Sequence, residues 1–370
     1  MTDKKENLIP WIEKYRPRFL KQATYDKNLE DLFQNSVKAS NMPHFLFYGP
    51  PGTGKTSAIL AMGREIFKEH FPSRVKEFNA SDDRGIGAVR DKITSEAKKF
   101  VSTTVSVSDN SIIPAFKIII LDESDLMTEE AQDALRVIIE QYSTVTRFCF
   151  ICNRVNKITD AIKSRCTAVY FKKLSIECLT LKLKEIAQTE QMILSPNIFN
   201  KIIDLSDGDM RRAIMLLQNV KYLYNFKQLI FTPIQDIDIS KLKLIQNISL
   251  SEPIKKEITE SEICKMAAII TMEEAMDIIN RSLRCEKIIE IMALCKNIIS
   301  NGYPTDSILS QLNKAILETN DLTTEQKAII IKYSGRIFFK MKECANEYIQ
   351  LLDYLSCVNG VKKGNSAYLL

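Results

Sequence analysis

Gly49-Pro50-Pro51-Gly52-Thr53-Gly54-Lys55-Thr56 is the stretch on which the reading of this chain turns. It fits G-x-x-x-x-G-K-[ST], a loop whose backbone N–H groups wrap a polyphosphate. The apolar run His44-Phe45-Leu46-Phe47-Tyr48 leads in as a strand, and Ser57-Ala58-Ile59-Leu60-Ala61-Met62 leads out as a helix. The chemistry needs that context, because the N-terminus of the helix adds a favourable dipole to the loop amides. Lys55 is expected to reach the β/γ-phosphates, and the Thr56 hydroxyl to ligate Mg2+. The alternative is an ordinary glycine-rich turn.

Residues 112–123 supply the second half of such a site. Ile118-Ile119-Ile120-Leu121 is a strand buried on both faces, as a central parallel strand must be. Asp122 and Glu123 follow at its C-terminal end, where open α/β sheets bind ligands. Asp122 is expected to hold the magnesium through its waters, and Glu123 to orient and polarise an attacking water. Asn153 ends the next strand, Arg147-Phe148-Cys149-Phe150-Ile151-Cys152. It is either a turn residue or an amide that faces the terminal phosphate.

Further motifs follow the same order along the chain. They are Trp11-Ile12-Glu13-Lys14-Tyr15-Arg16-Pro17, Asn79-Ala80-Ser81-Asp82-Asp83-Arg84-Gly85-Ile86, Leu121-Asp122-Glu123-Ser124-Asp125, Ser164-Arg165-Cys166 and Gly208-Asp209-Met210-Arg211. With the phosphate loop, this set resembles the small subunits of replication factor C, the AAA+ ATPases of the sliding-clamp loader. The resemblance is dense from Trp11 to Phe171 and thins beyond. It implies a parallel P-loop sheet with helices on both faces, followed by a helical lid and an all-α collar. It implies ATP and Mg2+ as ligands, with Gly49, Pro50, Pro51, Gly52, Thr53, Gly54, Lys55, Thr56 and Ser57 around the phosphates and Tyr15 and Arg16 closing the pocket near the adenine. Asn153 then takes the sensor-1 role and Arg211 the sensor-2 role. Arg165 resembles the arginine finger that acts in trans at a neighbour's ATP site, although a solvated basic turn is the plain alternative.

The same resemblance implies a heteropentamer with other replication factor C subunits, the sliding clamp and primer–template DNA as partners, and a nuclear setting. Arg84, Lys92 and Lys157 are the DNA candidates, because helix starts and basic side chains grip phosphates without reading bases. Three departures stand out. Ser124 replaces a usual alanine, Val137 follows Arg136 where a second arginine is common, and Arg154 replaces an aromatic.

Composition sets bounds. A chain of 370 residues is expected to hold two or three domains. No apolar run reaches the ~18 residues of a membrane span, and no apolar signal core follows Met1. A net charge of +5 does not by itself argue for nucleic acid. From Arg154 to Lys173, however, Arg154, Lys157, Lys163, Arg165, Lys172 and Lys173 face the single acid Asp160. Nine cysteines scattered through apolar patterns read as reduced thiols. Cys149 and Cys152 form a C-x-x-C, but residues three apart on a strand point to opposite faces, which disfavours a metal pair.

Along the chain, residues 1–8 are expected to be disordered and 9–173 to form the nucleotide-binding domain. Residues 174–271 read as the lid, with an insertion near 226–255 that fits no clear helix, and 272–370 as the collar. The Ser- and Thr-rich stretch 101–110 reads as a surface insertion or hairpin, Thr128 as a helix start, and 209–220 as a lid helix opening near Arg211.

Overall fold

The computed structural model describes residues 9–231 and 258–364, apart from Thr24, Asp26, Ser40, 81–85, 106–111 and Cys344. Residues 1–8, Arg84 and residues 232–255 of the expected insertion therefore lie outside the described residues. Contact clustering separates two compact units, Met1–Gln218 and Asn219–Leu370.

The strands of the first unit are β1 (Phe45–Tyr48), β2 (Val75–Asn79), β3 (Thr104–Val105), β4 (Ile112–Ile113), β5 (Lys117–Asp122), β6 (Thr146–Cys152) and β7 (Thr167–Tyr170). Five of them form a sheet in the order β2-β5-β6-β1-β7, and every pairing in it is parallel. β3 and β4 pair antiparallel, in keeping with the hairpin alternative for the Ser- and Thr-rich stretch; residues 106–111 lie outside the described residues. The helices interleaved with the strands are α1 (Trp11–Lys14), α2 (Lys27–Lys38), α3 (Lys55–Phe67), α4 (Phe71–Arg74), α5 (Ile86–Lys98), α6 (Glu129–Tyr142) and α7 (Asp160–Lys163).

Alternation along the central strands feeds two cores. Phe45, Phe47, Ile118, Ile120, Cys149 and Ile151 pack on one face with Phe33 of α2 and Ala58, Ile59 and Met62 of α3. Leu46, Ile119, Leu121, Phe148, Phe150 and Cys152 pack on the other with Ile93 of α5, Leu135, Ile138 and Ile139 of α6, and Ile162 of α7. Helices therefore cover both faces, and Cys149 and Cys152 belong to opposite ones. Ile118 to Leu121 have no exposed surface at all, each worth about 1.5–3 kcal/mol of burial. α6 begins as its sequence predicts: Thr128 Oγ1 accepts the Ala131 N–H, and Glu129 and Glu130 occupy the positive first turn.

Three further helices follow: α8 (Ile176–Thr189), α9 (Pro196–Ser206) and α10 (Met210–Phe231). The last differs from expectation. Residues 226–231 continue the helix rather than opening an irregular insertion, and the helix runs eleven residues past the predicted end at 220. Nothing between Lys221 and Phe231 breaks a helix; the first proline is Pro233, which disfavours helix in the residue before it.

The second unit, where described, is helical: α11 (Glu260–Met266), α12 (Met272–Arg284), α13 (Ile288–Ser300), α14 (Thr305–Glu318), α15 (Thr324–Lys342) and α16 (Glu347–Lys362). Reciprocal side-chain caps at Thr259/Glu262, Thr271/Glu274 and Thr323/Gln326 start three of them. Ile279, Leu309, Leu312, Ile316, Leu351 and Leu355 build its core. Among the described residues no helix is long and apolar enough to cross a membrane.

One polar thread runs through that core. Fully buried Tyr354 donates its hydroxyl to Asn313 Oδ1 at 2.8 Å, and Asn313 Nδ2 donates to Ser334 Oγ at 3.0 Å. Tyr354→Phe should strand the Asn313 carbonyl and destabilise the chain by about 1–3 kcal/mol, read by chemical denaturation. An unchanged midpoint would show that the thread contributes no stability.

Candidate nucleotide site

The phosphate loop leaves the C-terminal end of β1 and feeds α3, whose N-cap, Gly54, has φ +89. An L side chain is strained there, although a Cβ would meet nothing within 4 Å. The buried Lys55 turns back under the loop. Its Nζ donates to the carbonyls of Gly49 at 2.8 Å and Pro50 at 2.7 Å, and to Asn153 Oδ1 at 3.0 Å. Burial lowers its pKa, and Asp122 pulls it back up. Thr56 Oγ1 donates to Asp122 Oδ2 at 2.9 Å, and Asp122 Oδ1 accepts the Glu123 N–H at 2.8 Å. Loop, acidic strand end and Asn153 thus converge as their sequence positions imply.

Glu123 adopts the left-handed region at φ +54, rare for a residue with a side chain. That turn breaks the line of β5, and its carboxylate is solvent-exposed. Ser124 leaves the site undisturbed: it is buried, and its hydroxyl donates to Leu121 O. Val137 is half exposed on α6, and the Arg154 N–H donates to Asp125 Oδ2 at 3.2 Å.

A cavity of about 520 Å3 opens beside the loop. Its wall includes Tyr15, Arg16, Gly52, Thr53, Gly54, Thr56, Ser57, Asp122 and Arg211 from the sequence-based set. Lys55, Gly49, Pro50, Pro51, Glu123 and Asn153 are not in that wall. The remaining lining divides chemically. Ile12, Pro17, Ala23, Tyr25, Leu174, Met210 and Ile214 are apolar or aromatic, while Glu13, Gln22, Glu77 and Lys182 are polar. Glu77 was not foreseen: loss of hydration raises its pKa, and Arg16 opposes the rise. No motif marks it, because its place beside Asp122 arises only when β2 pairs with β5.

Arg211 opens α10, and its exposed side chain acts electrostatically on Lys55. The neighbouring acids do other work. Asp209 Oδ1 accepts the N–H groups of Arg211 and Arg212 at 2.8 and 3.2 Å, and Asp207 pairs with Lys173 at 2.7 Å. Arg165 lies away from the cavity, between α7 and the edge strand β7. There its guanidinium pairs with Glu140 of α6 and donates to Ala161 O at 2.7 Å. Lys92 on α5 and Lys157 after β6 are exposed, and neither lines the cavity.

Thr56 and Asp122 offer a hydroxyl and a carboxylate oxygen, donors suited to Mg2+. Known families divide the chain in the same order. Residues 45–174 match the ATPase family associated with various cellular activities, and 181–221 match the RCF1/5-like AAA+ ATPase lid domain. Residues 270–357 match the replication factor C C-terminal domain. A protein of Acanthamoeba polyphaga mimivirus assigned as a replication factor C small subunit is 60% identical, over 96% of this chain and 98% of its own. Replication factor C subunit 2 of Schizosaccharomyces pombe is 36% identical over 95% and 94%. Replication factor C subunit 4 of Homo sapiens is 35% identical over 96% and 89%.

The chain belongs to the replication factor C small-subunit family. It is an AAA+, nucleotide-binding ATPase with a clamp-loader role, and it works within a multi-subunit complex. Among solved structures, the Thermotoga maritima RuvB Holliday junction branch migration motor aligns at a TM-score of 0.47 and 15% identity, covering 81% of this chain and 91% of that one. Those values are too low to bear on function.

Lys55→Ala removes the one buried ammonium under the loop without touching either core. The purified chain should stay folded and lose roughly 10- to 100-fold in nucleotide affinity by equilibrium titration. Near-normal affinity would contradict the assignment of this loop.

Proposed function

We propose that the cavity binds ATP with Mg2+ and that its hydrolysis drives loading of a sliding clamp onto primer–template DNA. The observation that carries this reading is the Thr56–Asp122 hydrogen bond beside the Lys55–Asn153 contact, which joins three separate motifs in one place. The loop amides and Lys55 bind the polyphosphate, Lys55 exchanging its carbonyl partners for phosphate oxygens. Apolar Ile12, Tyr15, Pro17 and Ile214 suit the nucleoside, with Tyr15 and Arg16 on the adenine side. Thr56 and, through waters, Asp122 would hold Mg2+, which would supply charge neutralisation for the polyphosphate. Glu123 orients the attacking water as base, and Asn153 fixes that water from the end of β6. Arg211 senses the γ-phosphate from the lid.

Arg165 acts in trans. Its position at the sheet edge supports a role outside its own cavity, and its pairing with Glu140 is the resting state of the free chain. The other subunits of the heteropentamer, the clamp and non-sequence-specific DNA are the partners, with Arg84, Lys92 and Lys157 as DNA contacts. Residues 9–173, 174–271 and 272–370 serve as nucleotide domain, lid and collar, a division that the matched extents support. The nuclear setting belongs to this proposal too; the mimivirus relative is the observation against it, and imaging a tagged chain tests it.

One experiment addresses hydrolysis. In the assembled complex, Glu123→Gln should bind ATP and clamp but turn over slowly at this subunit's site. Arg165→Ala should leave ATP binding by the isolated chain unchanged while lowering DNA- and clamp-stimulated turnover. A finger is worth roughly 10³–10⁵ at one site, so single-turnover measurement is needed to see it past the other sites. Loss of ATP binding by the isolated Arg165→Ala chain would place that residue in cis and refute the model.

A further inference from the structure

Residues 9–23 form a strap, and its attachments reach beyond the phosphate loop. The backbone N–H of buried Trp11 donates to Gln218 Oε1 of α10 at 3.2 Å, and the Leu20 backbone N–H donates to Glu65 Oε1 of α3 at 2.8 Å. Between them, Lys14 Nζ and the Tyr15 hydroxyl both donate to one oxygen of Glu190, the former at 2.6 Å. Glu190 is the C-cap of α8, and its side chain is only 16% exposed. Trp11 packs edge-on against the Tyr15 ring, centroids 5.8 Å apart, and that ring belongs to the cavity wall.

A tyrosine in an open cavity wall has rotamers to lose when a ligand packs on it, and that ordering weakens binding. A charge-assisted hydrogen bond from its far end to a shielded carboxylate removes the freedom in advance. A motif search cannot find this, since Tyr15 and Glu190 are 175 positions apart. The phosphate-binding lysine is held by other contacts: Lys55 donates to Gly49 O, Pro50 O and Asn153 Oδ1.

We propose that Glu190 is a positioning residue: from the end of α8 it holds Tyr15 in the cavity wall and so sets the grip on the base-and-sugar half of the ligand. The inference rests on reading the cavity as a nucleotide site. It predicts a split between ligands that share a polyphosphate but differ in having a nucleoside. Glu190 touches neither half and acts only through Tyr15.

The test uses the full chain and two Mg2+-bound probes, ATP and inorganic tripolyphosphate, in equilibrium titrations. Glu190→Ala should weaken ATP about five- to twentyfold, part of the roughly 10- to 150-fold that one charged hydrogen bond is worth, and leave tripolyphosphate within about twofold. Tyr15→Phe should act in the same direction, Glu190→Gln, which keeps an acceptor, should lose less, and the double variant Tyr15→Phe/Glu190→Ala should lose little more than Glu190→Ala. If Glu190→Ala fails to fold, Tyr15→Phe carries the same test, because it removes one hydroxyl only. Unchanged ATP affinity, or equal loss for both probes, overturns the proposal. If the wild-type chain binds neither probe, the nucleotide reading itself fails and takes the proposal with it.

Discussion

The loop and the lid helix meet backbone to backbone. Gly52 has φ +68, and a Cβ there would come within 1.7 Å of Asp209 Oδ1. Its carbonyl accepts the Met210 N–H at 3.3 Å. Asp209 in turn caps α10 by accepting from Arg211 and Arg212. Only glycine satisfies both the conformation and the clearance, so this one residue joins phosphate recognition to the start of the lid. Arg211 can act on the loop because this contact fixes where its helix begins.

From that junction the site is built by three layers of different stiffness. The sheet is the most rigid: its central strands are buried on both faces and place Asp122 and Asn153 at adjoining strand ends. The loop is held by its glycines and by Lys55, whose buried ammonium is satisfied by carbonyls that a phosphate would replace. The strap is joined to the lid and to α3 through polar contacts at Trp11, Lys14, Tyr15, Arg16 and Leu20. On the proposed reading, the sheet and loop hold the reacting groups, and the strap and lid hold the nucleoside.

Much of this was legible from the sequence because it is local. The phosphate loop, the apolar strand ending in Asp122-Glu123, Asn153 at a strand end and the Thr128 cap all depend on a few neighbouring residues. The opposite orientation of Cys149 and Cys152 follows from strand periodicity alone. What escaped is non-local or concerns where a pattern stops. Glu77 enters the cavity only through sheet pairing, Glu190 only through the return of α8 to the strap, and the Arg165–Glu140 pair only through the packing of α7 against α6. α10 runs to Phe231 because nothing between Lys221 and Phe231 breaks a helix, whereas the prolines at 233 and 253 pointed to an irregular stretch from 226.

The central claim is that strap, loop and lid together form one nucleotide cavity. Hydrogen exchange on the full chain, with and without Mg2+ and ATP, tests it most directly. The account predicts that nucleotide slows exchange together at residues 11–17, 49–57 and 209–214. Slowing confined to 49–57, with the strap and the start of α10 unchanged, would contradict it.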